Sequence, residues 1–228
     1  MSRLLILLLI TGKCSLALPS YLSYYKQESA FAIGFYSENK REFDQAARRT
    51  GLSAAFIFSI VAPELSQYHL LSDYAQVYAL KVLYVQGGKA YGNFSVGLFQ
   101  MSPSFIETLE SKVANNHQLK ELFPELIIPG NDKSSRAKRI QRLEDKNWQI
   151  TYLTAFCLLV KDLYPEVAFS CEGEELQFFA AVYNIGFRSY EDIIKIRTIP
   201  VFPRFGILKF CYSKVASEFL NKLNYNML

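Results

Sequence analysis

The chain has 228 residues, half of them hydrophobic, with 18 Phe and 15 Tyr against a single Trp. That length suits one domain, and so large an apolar and aromatic share excludes a disordered chain. A net charge of +4 falls far short of a nucleic-acid-binding composition, and two histidines give no basis for a zinc site or other metal cofactor.

In chain order, residues 1–17 read as an export signal. Arg3 supplies the positive start, residues 4–10 form an unbroken apolar run, and Ser15-Leu16-Ala17 offers small residues for cleavage after Ala17. The run is too short to span a bilayer. Lys13, directly before Cys14, argues against a lipid anchor, where a small residue is needed. The expected location is therefore periplasmic or secreted. The rest, 18–228, reads as one domain: a lead-in over 18–49, a core over 50–203 and a C-terminal helix within 204–228. Of the remaining cysteines, Cys157 sits in an apolar helical run as a buried thiol, while Cys171 and Cys211 can pair in an oxidising compartment.

Residues 18–38 show little periodicity. A short helix is expected over 42–49, broken at Thr50-Gly51. Ser53 then caps a helix running through Phe56, Ile57, Phe58, Ile60 and Val61, apolar almost all round and so central. Pro63 lacks the amide hydrogen and places Glu64 at or near its end. Leu70, Tyr74, Val77, Leu80 and Tyr84 have helical spacing, predicting a helix over 70–86 that stops at Gly87-Gly88. The Gly-punctuated stretch 91–101 suits a loop or small hairpin. Ser102-Pro103 starts another helix. Further helices are expected over 136–142, 147–163, 176–183 and 207–223, so the fold class is mainly α. The basic residues Lys133, Arg136, Lys138, Arg139 and Arg142 read as a solvated helix face, with contact to carboxylates of a partner as the functional alternative.

Three pieces stand out by their order. The first is the apolar helix delivering one carboxylate, Glu64. The second is Gly97-Leu98-Phe99-Gln100-Met101-Ser102-Pro103. The third is Ala180-Ala181-Val182-Tyr183-Asn184-Ile185-Gly186. Together they resemble the lytic transglycosylase family, which shares its lysozyme-like fold with goose-type lysozyme. The likeness covers about residues 50–203. Leu65 stands where that family has Ser, Phe99 where it has Met, and Gln100 follows Glu64 at a wider interval. The helix over 70–86 accounts for the extra length as an insertion.

The resemblance implies a peptidoglycan lytic transglycosylase working without a cofactor on the MurNAc-GlcNAc bond. Glu64 would protonate the leaving oxygen, then take the proton from the muramic C6 hydroxyl and leave a 1,6-anhydro end. An apolar surround makes such an acid available near neutral pH by penalising its charged form. Gln100 would bond the sugar and Gly97 would let backbone approach it. Met101 lies in the same motif. Tyr183 would hold Glu64 or the sugar, and Asn184 and Gly186 would shape the last turn. No acid lies between Tyr91 and Ser104 or between Val182 and Arg188, so no second carboxylate is expected there.

Taken singly, each residue has a plainer reading: a solvated Glu64 after a helix end, a surface amide at Gln100, a core aromatic at Tyr183. Two other functions fit the same fold. One is a hydrolysing lysozyme; the other is a non-catalytic relative that binds wall glycan or scaffolds other cell-wall enzymes.

Overall fold

The computed structural model describes residues 19–68 and 70–225. The expected export signal and His69 lie outside them. The chain opens with α1 (Tyr21–Tyr24), α2 (Lys26–Glu38), α3 (Lys40–Thr50) and α4 (Ala54–Ser66). It continues with α5 (Leu70–Gly87), α6 (Pro103–Asn115), α7 (His117–Leu122), α8 (Lys133–Glu144) and α9 (Lys146–Leu163). Then come α10 (Glu172–Ile185), α11 (Tyr190–Ile196), the strands β1 (Pro200–Phe202) and β2 (Phe210–Cys211), and α12 (Tyr212–Tyr225). The fold is mainly α; among the described residues its one sheet is the antiparallel β1–β2 pair.

Helix α4 is the axis of the molecule. Ser53 accepts a hydrogen bond from the Phe56 amide and starts it. Every residue of α4 is buried except Glu64, which keeps a partial opening. Helices α2, α3, α10 and α12 surround it. Pro63 deprives the Ser59 carbonyl of its helical donor, yet the helix runs one turn further. That turn is closed by the Ser66 hydroxyl, 2.6 Å from the Pro63 carbonyl. Tyr21 of α1 fastens it from outside, bonding Ser66 at 2.6 Å and accepting from Gln67 at 2.7 Å.

The lead-in contains two helices that periodicity does not predict. Helix α2 buries Ser29, Ala32 and Tyr36 and exposes Phe31, so its inward stripe is mixed in polarity. Helix α3 ends on Gly51 at φ 70°, a left-handed stop suited to glycine. At the other end, the helix expected from 207 starts only at Tyr212. Residues 210–211 are strand β2, held by β1. Cys171 and Cys211 are free thiols, not a disulfide, and Cys157 is buried as read.

The basic stretch of α8 is the largest correction. Arg136 donates to the Val85 carbonyl at 2.8 and 3.0 Å and to Gln86 at 3.3 Å. It thus serves the bare carbonyls at the end of α5. Arg139 is buried against Glu110 at 2.8 Å and also bonds the carbonyls of Ile128 and Gly130. Arg142 bonds the carbonyls of Leu126 and Glu125 and lies 4.0 Å over the Trp148 ring. Only Lys133 and Lys138 of the five behave as a solvated face. The arginines are there because a connection rich in unpaired carbonyls must be buried, and a forked cation satisfies several at once.

Removing Glu110 leaves Arg139 buried without its counter-charge. Glu110→Ala should lower unfolding free energy by about 3–5 kcal/mol, measured by urea denaturation. A loss within about 1 kcal/mol would mean that the surrounding carbonyls satisfy Arg139 alone.

Candidate active site

The site is built on a short turn. Residues 97–100 form it, with the Gln100 amide donating to the Gly97 carbonyl at 3.0 Å. A paired bridge between Val96 and Met101 closes it. Gly97 has φ 77°, where a side chain is strained, and a Cβ there would strike Gln149 and the Leu143 carbonyl. Gln100 itself sits at φ 50°, uncommon for a residue with a side chain. Its side-chain amide donates back to the Gly97 carbonyl at 2.9 Å.

Three neighbours hold the turn in place. Asp73 of α5 accepts from the Gly97 amide at 2.6 Å. Gln149 of α9, fully buried, accepts from the Phe99 amide at 2.8 Å and donates to the Leu143 carbonyl at 2.9 Å. The Tyr183 hydroxyl donates to the Phe99 carbonyl at 2.7 Å. The Phe99 ring is buried edge-on against Phe35 of α2 and tilted against Phe43 of α3. Phenylalanine fits the motif here because the turn's inner side faces this aromatic layer.

The turn forms one wall of a cleft of about 920 Å³. Glu64 lies in it at the end of α4. Burial raises its carboxyl from an ordinary 4.5 to about 7. Among the described residues nothing donates a hydrogen bond to it. Tyr183 and Tyr212 are close enough for its charge to raise their hydroxyls further, beyond what burial does. Yet Tyr212 donates to the Ile60 carbonyl at 3.0 Å and Tyr183 to Phe99, so neither relieves the carboxylate. A carboxyl so placed holds its proton near neutral pH and can give it to a ligand in the cleft.

Glu64, Gln100, Met101, Tyr183, Asn184 and Gly186 all line this one cleft. Gly97 does not. It is turned toward Gln149 and the Leu143 carbonyl, so its need for glycine comes from packing and not from approach to a sugar. The Tyr183 hydroxyl likewise reaches the Phe99 backbone and not Glu64. Gly186, at φ 82°, ends α10 and turns the chain away behind Asn184.

The sequence reading missed Asp73, Gln149 and Tyr212. It also missed two arginines on the cleft wall, Arg188 and Arg204. For Asp73 a signal existed. It falls on the same helical face as Val77, Leu80 and Tyr84, all three buried, whereas Tyr74 is 65% exposed. A carboxylate on an apolar face asks for a partner. Ser72, Asp73 and Gln76 bring α5 to the cleft edge. Burial raises the Asp73 carboxyl, opposed by its bonds from Gly97 and Tyr68.

No protein-family model matches the chain, and neither a curated protein nor a solved structure matches it.

The raised Glu64 carboxyl has a consequence for stability. The folded chain keeps this proton to higher pH than the unfolded chain does. The associated stability is therefore full below about pH 4.5 and is lost as pH rises through about 7. Glu64→Gln escapes that loss. Between about pH 4 and pH 8 the variant should gain on the wild type by on the order of 2 kcal/mol, the partial opening to the cleft limiting the figure. Urea titrations across that range measure it; a constant difference would mean a hydrated carboxyl.

Proposed function

We propose that the protein is a peptidoglycan lytic transglycosylase of lysozyme-like fold, exported to act on the cell wall. The observation that carries this reading is the Glu64 carboxyl. It ends a buried helix, is raised to about 7, and shares one cleft with Gln100 and Tyr183-Asn184. An acid with that proton affinity can protonate a glycosidic oxygen and then accept the proton of a neighbouring hydroxyl. Gln100 and Asn184 offer neutral polar contacts to a sugar. Arg188 and Arg204 give the cleft cationic partners for carboxylates of stem peptides.

Asp73 puts another carboxyl in the same cleft, so a hydrolysing lysozyme is the second reading should that group prove to take part in the chemistry. The product separates the two: an anhydro end for the lyase, a reducing end for the hydrolase. The non-catalytic wall-binding or scaffolding relative remains the reading if the cleft binds glycan and cleaves nothing.

Digestion of purified sacculi, with released muropeptides analysed by mass, is the test. Wild type should release anhydro-ended fragments, and Glu64→Gln should slow release by about 10²–10⁴-fold or more while still sedimenting with sacculi. Equal release by both would remove Glu64 from the mechanism. Binding without release by wild type would select the non-catalytic reading.

A further inference from the structure

Asp73 does more than line the cleft. One carboxylate oxygen, Oδ1, accepts from the Gly97 amide at 2.6 Å. The other, Oδ2, accepts from the Tyr68 hydroxyl at 3.3 Å. These two partners belong to the two parts of the site. Tyr68 follows directly on the end of α4, its amide bonded to the Leu65 carbonyl at 3.2 Å, one residue past Glu64. Gly97 begins the turn that presents Gln100. Asp73 is therefore a bracket between the segment bearing the acid and the segment bearing the amide. It stands on α5, the helix that separates Glu64 from Gln100 in sequence.

We propose that Asp73 is a positioning residue: by holding Tyr68 and Gly97 together it fixes Gln100 relative to Glu64 for the ligand in the cleft, and it moves no proton itself. The inference rests on the glycan-cleaving reading for its ligand, but the bracket is a property of the fold alone. Each carboxylate oxygen accepts one hydrogen bond from the protein, which fixes the carboxylate between the two segments as a strut requires. The remaining contacts of the turn, from Gln149 and Tyr183, fall on Phe99. Without Asp73 the turn keeps its inner anchor and loses the one at its first residue. Displacements of about 1 Å at a reacting centre are enough to cost about a hundredfold in rate.

Asparagine at this position can still accept from the Gly97 amide through its carbonyl oxygen, but it cannot serve as a base. Alanine does neither. Amide exchange of the full chain, read at Gly97, tests the bracket without any activity. Asp73→Ala should raise exchange there by about ten- to hundredfold, the effect of losing a hydrogen bond to a charged acceptor. Asp73→Asn should restore protection, and Tyr68→Phe, which cuts only one arm, should leave Gly97 protected. On sacculi, Asp73→Ala should lower kcat by about ten- to hundredfold, and Asp73→Asn should recover most of it.

Unchanged exchange in Asp73→Ala would overturn the bracket. An Asp73→Asn variant with Gly97 protected but turnover lost as fully as in Asp73→Ala would overturn the positioning role and make Asp73 a proton-transfer group. If wild type releases no fragments, the glycan-cleaving reading fails separately. The bracket then stands or falls on amide exchange and on sacculus binding, which Asp73→Ala should weaken and Asp73→Asn restore.

Discussion

The rest of the structure depends on the burial of one helix around one carboxyl. Helix α4 is enclosed by α2, α3, α10 and α12, and Glu64 is the only residue on it that is not buried. An apolar environment penalises the charged form of an acid unless donors compensate. Here Tyr212 and Tyr183, both within reach of its charge, give their hydrogens to the backbone of Ile60 and Phe99. The chain thus spends potential donors on fixing its own main chain and leaves the acid uncompensated. The same hydroxyls that could have quieted Glu64 instead set the shape of its surroundings.

The opposite wall works by another principle. The 97–100 turn has Gly97 at φ 77°, which glycine adopts freely, and Gln100 at φ 50°, which a residue with a side chain adopts seldom. It persists because hydrogen bonds reach it from α5, α9 and α10 and because the Phe99 ring is clamped in an aromatic layer. The wall and the acid are nevertheless coupled, because Phe43, which packs on Phe99, also packs on Phe58 of α4. A change in the aromatic layer therefore reaches both the turn and the helix that carries Glu64.

Much of this was legible in the sequence where a residue type has one physical use. The Ser53 and Ser102 caps, the Gly51 stop and the all-round apolar run of α4 led directly to helices with nearly the observed limits. The order of the three motifs also brought Glu64, Gln100 and Tyr183-Asn184 into one cleft. What was not legible involved residues whose role is set by partners distant in the chain. Arg136, Arg139 and Arg142 looked like a charged surface because nothing local says that carbonyls at 85–86 and 125–130 lie within reach. Gly97 looked ligand-facing because Gln149, which forbids a side chain there, is 52 positions on by numbering and carries no motif. Helix α2 escaped because it turns a serine inward and a phenylalanine outward.

Tyr212 belongs to α12, the last helix of the described chain, and α12 packs on α4 across most of the sequence. Bringing segments so far apart in the chain together closes a long loop, whose entropy cost their contacts must offset. Without α12 in place that flank of α4 would be open to water, and hydration would return the Glu64 carboxyl toward the acidity of a surface glutamate. The proton affinity of this single group is therefore a gauge of assembly. A partly folded chain would carry Glu64 with an ordinary acidity; the raised proton affinity comes with the closed core.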